Sequence, residues 1–474
     1  MSFLPTKTVE LVFRTTGERT TEASLSLAIK NIVPNKVHIL NELQPFSEKV
    51  KTMLSITYSG DYVVFLDADC LIYENMRNFL NTTNAPYTDC YVFDRFRGKI
   101  HAGVHITRLD VVQKMQQLQL KEQAEAFVLR PESFTRNEAL KLLGFEKQFK
   151  EFKILHDFEQ FYFHIFAKYV LRELRSRTSF QKAHLESAIL QWNTHNLEEF
   201  TALQAINFSR KEISQSATVS EKKFFIENLY EIASREIKKL NIVEKKSFNE
   251  KEIFTLPETE IFKKINKNFT QKIFGIGLSR TGTKSLTAAL NILGFNVVHY
   301  PTDTITLQEL QSGNYNLTRL RSADGLTDIT AAAFFAQFDK AFPKSKFILT
   351  TRSKSQWLNS LKKHWENRPA FIDESKTENY LEMRRFLRAA TYGVYEFSEM
   401  RMDFVYQQHF KEVTIYFENR KEDLLIIDID NGMNWKELCN FLNKKIPTCN
   451  FPCFKNDEDF DKLIETNALE NGNG

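Results

Sequence analysis

The chain has 474 residues, of which 26% are charged and 42% hydrophobic, a balance that excludes bulk disorder and a collagen-like chain. Its 64 Lys and Arg against 60 Asp and Glu leave a net charge of +4. This net charge is too small to argue by itself for a protein that coats nucleic acid, so any anion site must be local.

The five cysteines include no C-x-x-C pair, which argues against a disulfide framework or a structural zinc site. The start, MSFLPTKTVELVF, lacks the pattern of a signal peptide, and no stretch of about 18 uncharged apolar residues follows. We therefore expect a cytoplasmic protein without a transmembrane segment. The length predicts about two or three domains.

Residues 8–72 alternate between strand-like and helix-like patterns. The apolar runs VELVF, KVHIL and DYVVFLDADC are separated by TEASLSLAIKNI and EKVKTMLSITY. This order predicts a β-α-β-α-β unit with a mostly parallel sheet flanked by helices. Ligands are then expected at the carboxyl ends of the strands.

Residues 132–268 are highly charged, with apolar residues at helical spacing. They are followed from Lys272 by a second alternation of strands and helices. We therefore predict an α/β protein with two domains joined by a helical, charged linker. The expected boundaries are 1–185, 186–268 for the linker, 269–460, and a tail at 461–474.

The strongest motif is the turn GIGLSRTGTKS, between a short apolar strand and an amphipathic helix. Its glycines allow close backbone approach, and the N–H groups of the helix start favour an anion. Arg280 and Lys284 add positive charge. Thr283 separates Gly282 from Lys284, so the turn is not a Walker A loop, and Arg280 stands where a dinucleotide-binding loop has its third glycine.

A second phosphate site is predicted after the strand KFILTTR. Arg352 ends this strand, and Ser360 follows eight residues later in a predicted helix. A guanidinium binds phosphate in bidentate fashion. Two separate phosphate sites suit a bisphosphorylated nucleotide.

These motifs, with the late segment LLIIDIDNGMNWKELCNFLNKKIP, resemble those of sulfotransferases, which use 3′-phosphoadenosine 5′-phosphosulfate. The resemblance implies that Arg352 and Ser360 hold the 3′-phosphate. Arg280 replaces the usual loop Lys, so the bridging oxygen would meet Arg280 or Lys284, and Lys284 is also a catalytic candidate. The loop residues implied to hold the 5′-phosphosulfate are Arg280, Thr281, Gly282, Thr283, Lys284 and Ser285.

Sulfuryl transfer to a hydroxyl needs a base near this loop. The candidates are Asp328, in DGLTDITAAAFF, and His299, in NVVHYPTD. Asp328 is equally well explained as the N-cap of the next helix, and His299 as a packed residue at a strand end. His364 and His409 lie in helical charged stretches, where a surface position is expected.

Asp67 and Asp69 end the strand DYVVFLDAD and can hold Mg²⁺ or Mn²⁺ against a diphosphate. This D-x-D pattern after a β-α-β-α-β unit resembles GT-A type glycosyltransferases, which use nucleotide sugars. The resemblance implies a hairpin in DRFRGKIHAGVHITR and a later metal-binding His, best matched by His156. The alternative for His156 is a position on a helix surface.

Together these resemblances predict a sulfotransferase that acts on a hydroxyl of a glycan, glycolipid or small molecule, fused to a metal-dependent glycosyltransferase domain. No nucleic-acid partner is expected. Two alternatives stay open: a P-loop kinase for small molecules, and a non-catalytic nucleotide-binding scaffold.

Overall fold

The computed structural model describes residues 6–41, 45–96, 100–190, 192–247 and 272–454. Their fold divides into two compact units, which cover the described residues 6–247 and 272–454. The expected tail at 461–474 and residues 248–268 of the expected linker lie outside the described residues. Within the described residues, no helix is both long and apolar enough to cross a bilayer.

The first unit contains a seven-stranded sheet with the order β2-β1-β3-β6-β5-β7-β4. Its strands are β1 (Val9–Arg14), β2 (Lys36–Leu40), β3 (Tyr62–Asp67), β4 (Cys70–Ile72), β5 (Tyr87–Asp94), β6 (Ile100–Arg108) and β7 (Gln148–His156). Its helices are α1 (Thr21–Ile32), α2 (Phe46–Ser55), α3 (Arg77–Thr82), α4 (Leu109–Gln117), α5 (Glu125–Leu129), α6 (Pro131–Leu143), α7 (Tyr162–Leu174), α8 (Ser179–Ile189), α9 (Leu197–Glu212), α10 (Val219–Glu227) and α11 (Leu229–Lys239).

The β-α-β-α-β prediction is confirmed, because β1 pairs in parallel with both β2 and β3. Strand β1 is buried along its whole length, which explains its continuous apolar pattern. The expectation of a mostly parallel sheet is wrong for this unit. Strand β6 is antiparallel to both β3 and β5, and β4 is antiparallel to β7. Consecutive antiparallel strands such as β5 and β6 need only a short connection, whereas parallel neighbours need a crossover.

Helices from the predicted linker pack within the first unit. Ala202 and Ile206 of α9 and Ala233 of α11 share one hydrophobic cluster with Ile165 and Val170 of α7. These side chains are buried, so the helices cover apolar surface rather than standing alone in solvent. The domain boundaries themselves stay a prediction.

The second unit contains a five-stranded sheet with the order β12-β11-β8-β10-β9, in which all pairs are parallel. Its strands are β8 (Ile273–Gly275), β9 (Val297–His299), β10 (Gly325–Thr327), β11 (Lys346–Thr351) and β12 (Leu424–Asp428). Its helices are α12 (Thr283–Ile292), α13 (Thr304–Gln311), α14 (Ile329–Ala332), α15 (Phe335–Ala341), α16 (Lys354–Glu366), α17 (Glu378–Tyr392), α18 (Glu399–Tyr416) and α19 (Trp435–Leu442).

The strand order of the second unit places a crevice beside β8. After β8 the chain proceeds to β9 and β10 on one side, then crosses to β11 and β12 on the other. The loops that follow β8 and β11 therefore leave the sheet edge in opposite directions. Such a switch point is where open parallel sheets bind ligands.

Candidate functional site

The loop between β8 and α12 is built for close packing at the switch point. A Cβ atom at Gly277 would overlap the Thr350 side chain of the neighbouring strand β11, so only glycine fits there. Arg280 has φ 72° and Gly282 φ 85°, both in the left-handed region that only glycine adopts freely. The loop thus holds Arg280 in a strained conformation immediately before the first turn of α12.

Asp328, directly after β10, ties this loop to the sheet. Its Oδ1 accepts hydrogen bonds from Ser279 Oγ at 2.7 Å and the Ile329 N–H at 2.7 Å. Its Oδ2 accepts one from Thr283 Oγ1 at 2.7 Å and lies 3.2 Å from His299 Nε2. Asp328 is therefore the N-cap of α14 and, at the same time, the anchor of the loop.

The environment of Asp328 strongly favours its charged form. Burial by itself raises the pKa of the carboxyl group, but His299 and the hydrogen bonds from Ile329 and Thr283 hold it well below its usual range. A carboxylate with so low a pKa is a weak proton acceptor near neutral pH. His299 Nε2 also lies 3.2 Å from Thr283 Oγ1, so the imidazole stands between the carboxylate and the start of α12.

The two predicted phosphate sites meet through one hydrogen bond. Arg280 Nε, from the loop after β8, donates to Ser360 Oγ of α16 at 3.1 Å. Helix α16 follows β11 across the switch point, and its Trp357 indole N–H donates to the Ser279 carbonyl at 2.9 Å. These two hydrogen bonds join the loop after β8 to helix α16 across the crevice.

Arg352 lies just beyond the end of β11, with a side chain 27% exposed. Its guanidinium donates to Gln356 at 3.1 Å and lies 3.4 Å from an Asp430 carboxylate oxygen. Asp430 also accepts from the Ser353 N–H at 2.8 Å. The Tyr406 hydroxyl donates to the Arg352 carbonyl, so both the backbone and the side chain of Arg352 are held in place.

Some predicted loop residues point into the protein. The Thr281 hydroxyl donates to the Leu278 carbonyl at 2.7 Å and lies 2.8 Å from Thr350 Oγ1. Lys284 and Ser285 lie in the first turn of α12 and are partly exposed. The roles predicted for these residues toward a phosphate stay predictions.

His409 occupies a position that sequence reasoning missed. We expected a surface residue, but its Nε2 donates to the Ile276 carbonyl of the phosphate loop at 2.7 Å. Burial lowers its pKa, which suits a neutral ring with a proton on Nε2. Tyr406, which contacts Arg352, lies three residues earlier on the same helix, so one face of α18 contacts the backbone after both β8 and β11.

In the first unit, Asp67 does not face the same partners as Asp69. Its carboxylate accepts from Arg14 Nε at 2.8 Å. Arg14 is only 2% exposed and also pairs with Glu132 of α6, which in turn accepts from Arg136 at 3.1 Å. The carboxylates of Asp67 and Asp69 therefore have different hydrogen-bonding partners.

Asp69 lies with His156, as predicted, with 3.6 Å between Asp69 Oδ2 and His156 Nε2. Between them stands Lys168 of α7, which donates to both Asp69 and Asp157 and lies 3.0 Å from His156 Nε2. Burial by itself lowers the pKa of Lys168, but the two carboxylates, Asp157 first, raise it overall. His156 ends β7 and is buried rather than on a helix surface.

The donor types at this position suit Mg²⁺ or Mn²⁺, because carboxylates and an imidazole are ordinary ligands of hard divalent cations. The space between the donors does not suit such an ion, since the Lys168 ammonium already lies within bonding distance of Asp69, Asp157 and His156. Lys168 is 99 residues from Asp69 along the chain, so no short motif could have pointed to it. The predicted metal site of Asp67, Asp69 and His156 stays a prediction.

Residues 272–460 match the family model of the sulfotransferase domain. The resemblance inferred from the loop, Arg352 and Ser360 is thereby confirmed for the second unit, which we call the sulfotransferase domain from here on. The match supports a transferase.

Two individual proteins are also similar to parts of the chain. The Ava biosynthesis cluster protein M of Aspergillus versicolor is 23% identical over 210 residues, which cover 38% of this chain and 79% of that protein. A mannosyltransferase from Pyrobaculum calidifontis, solved in complex with GDP-Man and Mn²⁺, is 10% identical. Its alignment covers 55% of this chain and 87% of that chain with a TM-score of 0.27.

Proposed function

We propose that the sulfotransferase domain transfers a sulfuryl group from 3′-phosphoadenosine 5′-phosphosulfate to a hydroxyl of a glycan, a glycolipid or a small molecule. The observation that carries this proposal is the hydrogen bond from Arg280 to Ser360. It joins the loop expected to hold the 5′-phosphosulfate to the helix expected to hold the 3′-phosphate. The family match over residues 272–460 supports the same donor.

The proposed reaction is an in-line displacement at sulfur. The bond from sulfur to the acceptor oxygen forms while the bond from sulfur to the 5′-phosphate oxygen breaks, and adenosine 3′,5′-bisphosphate leaves. The loop residues Arg280 and Lys284, with the N-terminus of α12, stabilise the negative charge that grows on the leaving phosphate. Arg352 and Ser360 hold the 3′-phosphate, and binding at two points fixes the donor for attack.

We assign the proton transfer to His299 and an orienting role to Asp328. The low pKa of Asp328 makes it a poor base, and its oxygens already accept from Ser279, Thr283 and Ile329. His299 takes the acceptor proton as the new bond forms. Asp328 stabilises the imidazolium that results.

For the first unit we propose transfer of a sugar from a nucleotide sugar. The supporting observation is that Asp69 and His156 lie 3.6 Å apart, at the carboxyl ends of β3 and β7, two strands that run in the same direction. A chain with both activities could modify one acceptor twice, or two related acceptors.

The donor proposal is tested by a ligand panel on the full chain. Melting temperatures are measured with adenosine 3′,5′-bisphosphate, with ADP, and with ATP and Mg²⁺, because a ligand that binds only the native state stabilises it. We expect stabilisation by the bisphosphate but not by ADP. Equal stabilisation by ADP or ATP without an effect of the bisphosphate would favour the kinase alternative.

A turnover assay then separates an enzyme from a scaffold. Transfer of ³⁵S from labelled donor to a panel of hydroxyl acceptors is compared for the wild type and His299→Ala. We expect His299→Ala to retain bisphosphate affinity and to lose transfer by about 10²-fold or more, the range for a general base. Bisphosphate binding with no transfer to any class of acceptor would favour the scaffold.

A further inference from the structure

The acidic cluster of the first unit, which consists of Asp69, Asp94, Asp157 and His156, gathers at one edge of the sheet. Strands β3, β5 and β7 run in the same direction, so the residues at their carboxyl ends meet. Two overlapping sets, Asp69 with Cys70 and His156, and Asp94 with His156 and Asp157, have donor atoms within 4.8 Å of one another. This arrangement is typical of residues that surround a cation.

Lys168 fills the centre of this cluster. An ammonium has three N–H donors, and three acceptors surround this one: Asp69 Oδ2, Asp157 Oδ1, and His156 Nε2 at 3.0 Å. His156 Nδ1 lies 3.2 Å from Asp94 Oδ2, so a ring with its proton on Nδ1 satisfies both contacts. The Lys168 ammonium thus contacts the same acceptor atoms that a divalent ion at this position would bind.

The charges of the acidic cluster also nearly balance without an ion. Its three carboxylates face the Lys168 ammonium and the Arg172 guanidinium, which donates to Asp94 at 3.3 Å. A divalent ion at this centre would have to displace the Lys168 ammonium, because two cations in the same space between Asp69, Asp157 and His156 repel each other. The backbone keeps this arrangement under strain, because Asp157 has φ 65° and persists there only if its contacts hold it.

We propose that Lys168 is the built-in cation of the first unit and takes the place of a divalent metal between Asp69 and His156. This inference rests on the contacts of Lys168 and does not depend on the nucleotide-sugar function proposed above.

The test measures Mn²⁺ binding to the full chain by the EPR signal of free Mn²⁺. We expect the wild type and Asp69→Asn to bind Mn²⁺ equally weakly. Lys168→Ala vacates the centre of the acidic cluster and should gain one site at least tenfold tighter, which the double variant Lys168→Ala with Asp69→Asn loses. Lys168→Arg, the matched control, keeps the charge and should gain no site.

A tight Mn²⁺ site in the wild type that Asp69→Asn abolishes would overturn the proposal. This comparison does not depend on whether Lys168→Ala folds, and circular dichroism checks the folding of each variant. If Lys168→Ala is folded but binds Mn²⁺ no better than the wild type, the proposal is also wrong.

Discussion

Both units of this protein place an aspartate just beyond the carboxyl end of a strand, yet the two aspartates have different partners. Asp69 after β3 pairs with the Lys168 ammonium, whereas Asp328 after β10 accepts hydrogen bonds from the hydroxyls of Ser279 and Thr283. The carboxylate of the first unit is neutralised by a cation of the protein. The carboxylate of the second unit instead organises a loop, and it leaves the nearby cations Arg280 and Arg352 to other partners.

The difference shows that a strand followed by aspartate identifies a functional edge but not its chemistry. A lysine that pairs with a carboxylate competes with any metal for that carboxylate, whereas a carboxylate that accepts from hydroxyls holds the loop that carries them. The partners come from distant parts of the chain, such as α7 for Asp69 and the β8 loop for Asp328. Four substitutions test this comparison.

The largest effect is expected for Arg14→Met in the first unit. Arg14 is buried between Asp67 and Glu132, so its loss leaves two carboxylates without their cation and should destabilise the unit by about 3–5 kcal/mol. Hydrogen exchange of peptides from β1 and β3 measures this loss within the full chain. Arg108→Ala, which breaks the exposed pair with Asp110, is the control and should cost less than about 1 kcal/mol. Equal effects of the two variants would show that the Arg14 network is not structural.

Acid should weaken the first unit through Glu132. Burial by itself raises the pKa of Glu132, but Arg14 and other cations lower it to about 2 from the usual 4.5. A lowered pKa stabilises the folded state above the usual value, and this contribution is lost as the pH falls from about 4.5 to 2. The shift corresponds to about 3 kcal/mol.

Glu132→Gln provides the measurement for this pH dependence. Its free energy of unfolding should lie below that of the wild type at pH 7, and the difference should shrink as the pH approaches 2. Hydrogen exchange of the peptides from β1 and β3 at several pH values measures the free energy of unfolding of the wild type and of Glu132→Gln. A difference that stays constant over this range would contradict the assigned pKa.

Arg352→Ala tests whether Arg352 of the sulfotransferase domain binds the 3′-phosphate of the donor. Loss of a charged hydrogen bond to the 3′-phosphate should weaken binding of adenosine 3′,5′-bisphosphate by about 1.5–3 kcal/mol, with little change for ADP. Titration calorimetry compares it with Lys354→Ala, which removes an exposed cation two residues away that pairs with Asp403. Unchanged affinity in Arg352→Ala would remove this residue from the donor site.

The smallest effect is expected for Ser360→Ala. The substitution removes the hydroxyl that accepts from Arg280 and should weaken bisphosphate binding by about 0.5–1.5 kcal/mol, the usual net worth of a hydrogen bond. Calorimetry under the same conditions measures it. An effect as large as that of Arg352→Ala would mean that Ser360 positions the whole loop after β8. The conclusion that Asp328 holds this loop would then need revision.

Much of the second unit could be read from the sequence. The strands at NVVHY, KFILTTR and LLIID all form, since short apolar runs between turn signals suffice to predict buried parallel strands. The first sheet was harder to predict, because the antiparallel pairing of β6 with β3 and of β4 with β7 joins strands that are not consecutive in the chain. For the same reason, the packing of α9 and α11 onto α7 was read as a linker.

Local patterns alone identified the glycine-rich turn before α12 with its cations, the strand-end residues Arg352, Asp328, Asp67 and Asp69, and the resemblance of the second unit to sulfotransferases. These features depend on residue types at short spacing. The folded structure was needed to show that Lys168 lies between Asp69 and Asp157, that Arg14 is buried against Asp67, and that Arg280 reaches Ser360. Electrostatic partners are chosen by distance in space, and residues far apart in the chain become neighbours only when the sheet and its helices have packed.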